Sequence, residues 1–283
     1  MLKKKGKYMK NFDPNEYKYL CEKANKIIQE VKENYIGEGW VKVTNSPKYR
    51  SNFKAVLYEK DGQYALCFVG TDKWSYKDHG ANLKMATTGD SQQIQDAKKY
   101  TDKLIDEYNL TPENTVSIGH SEGGTEATQV GLKNKFKTIT FNAYGVSKKT
   151  LPTNADYSLV TNYRDPHDPV SKLHANVGKT YITPSTQTGF MSKTPFGSIK
   201  SHGISQMGDC NKAVPVEEYK KSHPLFLDKI SDKNISRKDI KNMDGNLFQV
   251  YEKEIDKRVS NNEIQSGDEK WVTINGNHVL INN

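Results

Sequence analysis

Thr115-Val116-Ser117-Ile118 is a short β-branched run that stops on Gly119, and His120-Ser121-Glu122-Gly123-Gly124 leads from it into the helix-competent stretch Thr125-Glu126-Ala127-Thr128. A strand that turns directly into a helix at G-x-S-x-G must bend sharply at the serine. Glycines two residues to either side let it do so without a clash. The pattern therefore predicts a strand, a tight turn and a helix in that order, with the helix N-terminus directed at the Ser121 hydroxyl.

The rest of the chain supplies a sheet for that turn. Asp13 to about Tyr35 reads as a helix: Asp13 caps it, Pro14 suits its first position, Glu16 completes a capping box, and Leu20, Ala24, Ile27, Ile28 and Val31 recur at helical spacing. A hairpin is predicted from Ala55–Tyr58 and Tyr64–Val69 around Lys60-Asp61-Gly62, its second arm apolar on both faces as a central strand is. An amphipathic helix follows through Ile94, Ala97, Leu104, Ile105 and Tyr108. Further strands are expected at Phe136–Phe141, Tyr157–Tyr163 and Lys179–Thr183. Strands alternating with helices argue a mostly parallel α/β sheet covered by helices on both faces. From about residue 229 the texture becomes dense in Lys, Asp, Glu, Asn and Ser, with a weak helical pattern. The chain then closes on β-branched runs around Asn275-Gly276, a two-residue hairpin signal. Residues 1–228 are read as the main domain, and 229–283 as a small appendage made of a polar helical linker and a β-hairpin.

Composition narrows the classes. Only 34% of the 283 residues are hydrophobic, but 16 Tyr, 9 Phe and 3 Trp are enough for one core. No run approaches the roughly 20 apolar residues of a membrane span. No apolar stretch follows Lys3-Lys4-Lys5, so no signal peptide is expected and the chain is read as made in the cytoplasm, with non-classical delivery left open. Cys21, Cys67 and Cys210 are too few and too widely spaced for a disulfide framework or a CxxC zinc site, and neither metal nor cofactor is expected. The formal charge of +8 comes mostly from scattered lysines. It reads as a solvated surface with some attraction for anionic membranes; nucleic acid is not expected, because Arg forks interleaved with aromatics are missing.

A serine hydroxyl becomes a nucleophile only when a base takes its proton and a third group orients that base. Downstream of Ser121, Val160–Val170 places Asp165 and Asp168 just past a buried strand, where an orienting acid belongs. Seven histidines compete for the base. His120 is fixed inside the turn, His79 precedes the serine, His167 and His174 crowd the acid strand, and His223 and His278 lie beyond the core. His202, in a loop after the last strand, remains.

Five segments in order resemble the class 3 lipase family of α/β-hydrolases, including its bacterial and phage phospholipase-like branch, over roughly residues 14–228. Phe68-Val69-Gly70-Thr71 is similar to its F-R-G-T/S segment, and Gly119-His120-Ser121-Glu122-Gly123-Gly124 to its G-H-S-L-G-G. Thr138–Ala143 resembles T-F-G-A-P, Asp168-Pro169-Val170 the D-x-V-P acid motif, and His202-Gly203-Ile204 the late histidine. The resemblance implies an α/β-hydrolase fold and a cofactor-free serine carboxyl-ester hydrolase, in which Ser121 is the nucleophile, Asp168 the acid and His202 the base. The main-chain N–H groups of Glu122 and Thr71, with the Thr71 hydroxyl, would form the oxyanion hole. Asp165 is the rival acid. Glu122 stands where the family carries an apolar residue, and Val69 where it carries arginine. The loop Asp72–His79 is far more polar than a triacylglycerol-lipase lid. It leaves phospholipids, lysolipids or soluble esters open as substrates, and lipid acyl esters, of lipase or phospholipase A type, are expected. The alternatives are a thioesterase or acyltransferase using the same three residues, or a non-catalytic binding or assembly protein on this fold.

Overall fold

The computed structural model describes residues 13–27, 35–70, 92–146, 150–168, 170–172, 176–186, 201–223, 235–236, 269–274 and 277–282. Helix α1 spans Pro14–Ile27, α2 Gln92–Tyr108, α3 Glu122–Asn134 and α4 Val216–Ser222. Strands β1 (Tyr35–Gly37), β2 (Trp40–Asn45), β3 (Ala55–Lys60), β4 (Gln63–Phe68), β5 (Thr115–His120), β6 (Lys137–Phe141), β7 (Val160–Arg164), β8 (Lys179–Ile182) and β9 (Val214–Pro215) form one nine-stranded sheet in sequential order. β4 through β8 run parallel; the pairings of β1 through β4, and of β8 with β9, are antiparallel. The parallel sheet expected from sequence is therefore its centre, framed by antiparallel margins. This is the α/β-hydrolase type of architecture.

Two apolar layers sandwich the sheet, and strand alternation sorts residues between them. Val116 and Ile118 of β5 join Val56, Tyr58, Ala65 and Cys67 beneath Tyr17, Leu20, Cys21 and Ala24 of α1. Leu57, Leu66 and Phe68 face the opposite way, against Ala97, Tyr100 and Leu104 of α2 and Ala127 and Val130 of α3. Ser117, between Val116 and Ile118, points to the α3 side and donates its hydroxyl to the Ala127 carbonyl at 2.9 Å. The Cys21 and Cys67 thiols meet at 3.5 Å where α1 crosses β4.

Two local expectations are corrected. The helix predicted to reach Tyr35 ends its described course at Ile27, and Tyr35 pairs with Val41 in a β1–β2 hairpin. Gly37 at φ +118° and Gly39 at φ +79° make that reversal possible. Glu16, expected to fold back on the helix cap, instead accepts from Trp40 Nε1 at 3.0 Å and Lys60 Nζ at 2.5 Å. Asp13 does cap α1, its carboxylate accepting from Asn15 N–H at 2.8 Å.

A separate three-stranded sheet consists of β10 (Ile235–Ser236), β11 (Glu269–Ile274) and β12 (Asn277–Asn282). β11 and β12 are antiparallel with Ile274 opposite Asn277, the register that a turn at Asn275-Gly276 demands. The polar linker expected from about residue 229, with its weak helical pattern through Leu247, Val250 and Ile255, lies outside the described residues except where 235–236 and 269–270 are strand, and the loop Asp72–His79 lies outside them too. No helix among the described residues is long and apolar enough to cross a membrane, and none of their His, Cys, Asp and Glu side chains gather in threes to hold a metal ion.

Candidate active site

The site forms at the C-terminal ends of β5, β6 and β7. β5 delivers Ser121 at φ +59° and ψ −127°, a backbone strained for any residue with a Cβ and held by its surroundings. Its N–H donates to the Phe141 carbonyl at the end of β6 at 3.1 Å, and its own carbonyl accepts from Gly124 N–H at 3.1 Å. The flanking glycines are required by close approach. A Cβ on Gly119 would land on the Gly123 carbonyl, and one on Gly123 would land on the carbonyl of Phe68.

β7 delivers the two candidate acids. Asp165, Asp168 and the short helical turn Val170–Lys172 make a compact buried loop. Asp168 N–H donates to the Asp165 carbonyl at 3.2 Å, Lys172 Nζ reaches the Pro166 carbonyl at 2.6 Å, and Arg164 Nε reaches Ser171 Oγ at 3.3 Å. Asp168 is fully buried, and its carboxylate accepts from Val170 N–H at 2.9 Å and Ser171 N–H at 3.2 Å. Burial alone would push this carboxyl upward. His202 beside it and the Val170 and Ser171 bonds outweigh that, so it lies below the ordinary aspartate value.

His202 joins the two. Its Nδ1 sits 3.1 Å from both Asp168 oxygens, and its Nε2 sits 2.7 Å from Ser121 Oγ. An ionised carboxylate only accepts, so Nδ1 carries the proton and Nε2 is left as acceptor for the serine O–H. Ser121 and His202 are 4% and 3% exposed, which keeps bulk water from competing for these bonds. The arrangement is able to withdraw the hydroxyl proton as the oxygen attacks a carbonyl carbon.

Of the residues singled out from sequence, Ser121, His202 and Asp168 come together. Asp165 does not: its carboxylate turns back to accept from His167 N–H at 2.8 Å, and burial lifts it to about 6. Glu122 occupies the first position of α3, where its main-chain N–H and the helix dipole favour negative charge. Gly70 lies against the same turn, since a Cβ on it would sit 3.3 Å from Ser121 Cβ and 3.6 Å from Glu122 N. Thr71 itself lies outside the described residues.

Sequence reasoning missed the shell around His202. His120, set aside as part of the turn, has its ring centroid 5.1 Å from that of His202, and Tyr144 stacks nearby at 6.1 Å. Burial, then the neighbouring His202, depresses His120 to about 3, so it stays neutral. Asn142 occupies the glycine position of the T-F-G-A-P pattern, at φ +43°. That departure at a motif glycine was the available signal, because asparagine is one of the few residues that tolerate this backbone.

The family described as "Phospholipase-like: Tle-like phospholipase domain" matches residues 29–198, a stretch that includes Ser121 and Asp168 and stops just short of His202. An extracellular phospholipase A1 of Serratia liquefaciens is 36% identical over 101 residues, which are 36% of this chain and 30% of that protein, so the chain aligns with under a third of that relative's length. Among solved structures, the triacylglyceride lipase of Rhizomucor miehei covers 69% of this chain and 94% of its own at 14% identity and a TM-score of 0.47. The triacylglycerol lipase of Penicillium expansum covers 70% and 91% at 13% identity and a TM-score of 0.41. On the extent of the family match, the chain belongs to the Tle-like phospholipase domain family.

Proposed function

We propose that the chain is a cofactor-free serine hydrolase that cleaves the carboxyl esters of phospholipids, of phospholipase A type. The observation that carries this is the unbroken line from Asp168 through His202 Nδ1 and Nε2 to Ser121 Oγ. Family membership and the stretch shared with a phospholipase A1 support the substrate class. The positive formal charge of +8 supports a peripheral encounter with anionic lipid surfaces.

In this reading Ser121 Oγ attacks the acyl carbonyl while His202 Nε2 accepts its proton and Asp168 stabilises the imidazolium. The tetrahedral oxyanion forms beside the Glu122 N–H at the start of α3, with Gly70 against the same turn, and that donor offsets its charge. Collapse breaks the ester bond, and His202 returns the proton to the departing lysolipid oxygen. Water, deprotonated by the same nitrogen, then releases the fatty acid from Ser121.

The test is labelling with a fluorophosphonate, read by intact mass and peptide mapping, alongside fatty-acid release from phosphatidylglycerol vesicles without any acceptor alcohol. One adduct on Ser121 is expected, with labelling and release both abolished in S121A and H202A. A folded wild-type protein that neither labels nor releases acid in the presence of vesicles would sink the hydrolase reading. Labelling without acid release, with the acyl group appearing as a new ester only when an alcohol is supplied, would convert it to an acyltransferase.

A further inference from the structure

The main-chain carbonyl of His202 accepts two side-chain hydrogen bonds, neither from a residue bonded to its ring. His120 Nε2 lies 2.7 Å from it and Asn142 Nδ2 lies 3.2 Å from it. The same Asn142 amide reaches the Ser201 carbonyl at 3.0 Å. Carbonyls have no proton to give, so the neutral His120 ring carries its hydrogen on Nε2 and Asn142 turns its NH2 toward residues 201 and 202. The other end of that amide, Oδ1, accepts from Asp165 N–H at 2.8 Å, and Asn142 N–H donates to the Tyr163 carbonyl at 2.9 Å. Asn142 is fully buried.

These bonds link all three arms of the site through groups that take no part in bond making. Asn142, just past β6, holds the root of the acid-bearing loop with one end of its side chain and the base-bearing residues with the other. His120, the residue before Ser121, ties the nucleophile's own turn to the backbone of the base. We propose that Asn142 and His120 are positioning residues that fix His202 by its main chain, so that Nε2 stays aimed at Ser121 Oγ while Nδ1 stays on Asp168. The inference rests on the serine-hydrolase reading and adds two residues to it. Misplacing a reacting group by about 1 Å costs on the order of 100-fold in rate, so losing either tether should appear in turnover before it appears in binding.

The test compares N142G, H120L and H120Q with wild type in the full chain, each first shown by urea unfolding to be folded under assay conditions. Glycine tolerates the positive φ at 142 and removes only the tether. Leucine keeps bulk at 120 without a donor, whereas glutamine restores a donor close to the Nε2 position. N142G and H120L should lower kcat for vesicle hydrolysis by about 10- to 100-fold with KM within about twofold, and slow fluorophosphonate labelling of Ser121 by the same factor. The low-field proton resonance of His202 Nδ1, identified by its absence in H202A, should broaden or shift in both. H120Q should regain most of what H120L loses. Folded N142G and H120L proteins with wild-type kcat and labelling rates would overturn the inference while leaving the hydrolase reading intact. So would H120Q being as impaired as H120L. An inactive, unlabelled wild type would overturn both. Should N142G fail to fold, the H120L and H120Q pair decides.

Discussion

Asp165 and Asp168 lie three residues apart in one buried loop, yet their surroundings push them in opposite directions. Asp168 gains two main-chain donors and a histidine and is held below the usual carboxylate value; Asp165 is lifted to about 6, chiefly by burial. Substituting each by asparagine should separate them. D168N removes the acceptor that fixes the His202 tautomer and is expected to lower kcat by about 10³- to 10⁴-fold with little change in KM. D165N keeps an oxygen for the His167 N–H, leaves kcat within about threefold, and alters stability instead. The folded pKa of Asp165 exceeds its unfolded value near 4. Its contribution is therefore complete below that value and is lost as pH rises to about 6. D165N should accordingly become more stable than wild type across that window, by up to about 3 kcal/mol above it; urea unfolding at pH 4, 6 and 8 measures the gap. A D165N protein that loses turnover while D168N keeps it would reverse the assignment of the acid.

At the scale of elements, α1 and α3 carry burdens that periodicity does not reveal. Lys18 of α1 donates to the Met207 and Gly208 carbonyls at 3.0 and 2.9 Å, and Asn15 bonds Asp209 at 2.8 Å, so the first helix grips the loop that follows His202. Lys18→Met keeps most of the side-chain packing and should cost about 1–2 kcal/mol. Faster amide exchange confined to about residues 204–210 would mark the loss, and unchanged exchange there would refute the grip. In α3, Glu126 is 2% exposed, and burial, then Glu122 and Asp96, raise its carboxyl well above the ordinary value. A raised folded pKa makes the protein lose stability as pH climbs above the unfolded glutamate range. E126Q should therefore exceed wild type in stability by a larger margin at pH 8 than at pH 5; equal margins would show that Glu126 is not buried neutral.

For the molecule as a whole, the central strands, the turn at Ser121 and the meeting of Ser121, Asp168 and His202 were legible in the sequence. Each is imposed by a residue type at a fixed place: alternation on strands, glycine at close approaches, one hydroxyl, one carboxylate and one imidazole. The β1–β2 hairpin was not, because the helical spacing of α1 ran on to Tyr35 and masked the reversal at Gly37. Asn142, His120 and Lys18 escaped for a different reason. All three act on main-chain carbonyls, which every residue possesses, so no pattern of side chains announces them beyond the asparagine at a motif glycine. Because those tethers come from α1 and from the ends of β5 and β6, the site and the sheet should be lost together. Heating is expected to abolish Ser121 labelling and far-UV circular dichroism in one coincident transition, and labelling lost well below the midpoint would show a site that melts on its own. The partners of the base loop also have a timing. Residues 15 and 18 leave the ribosome long before residues 207–209, and Ser121 emerges some eighty residues ahead of its base. A chain still being translated thus exposes Ser121 without His202 beside it, and on the proposed function the hydrolase is armed only when the late segment docks back on the earliest helix. If the chain cleaves phospholipids as proposed, translation order itself would act as a safety catch for the membranes around the ribosome.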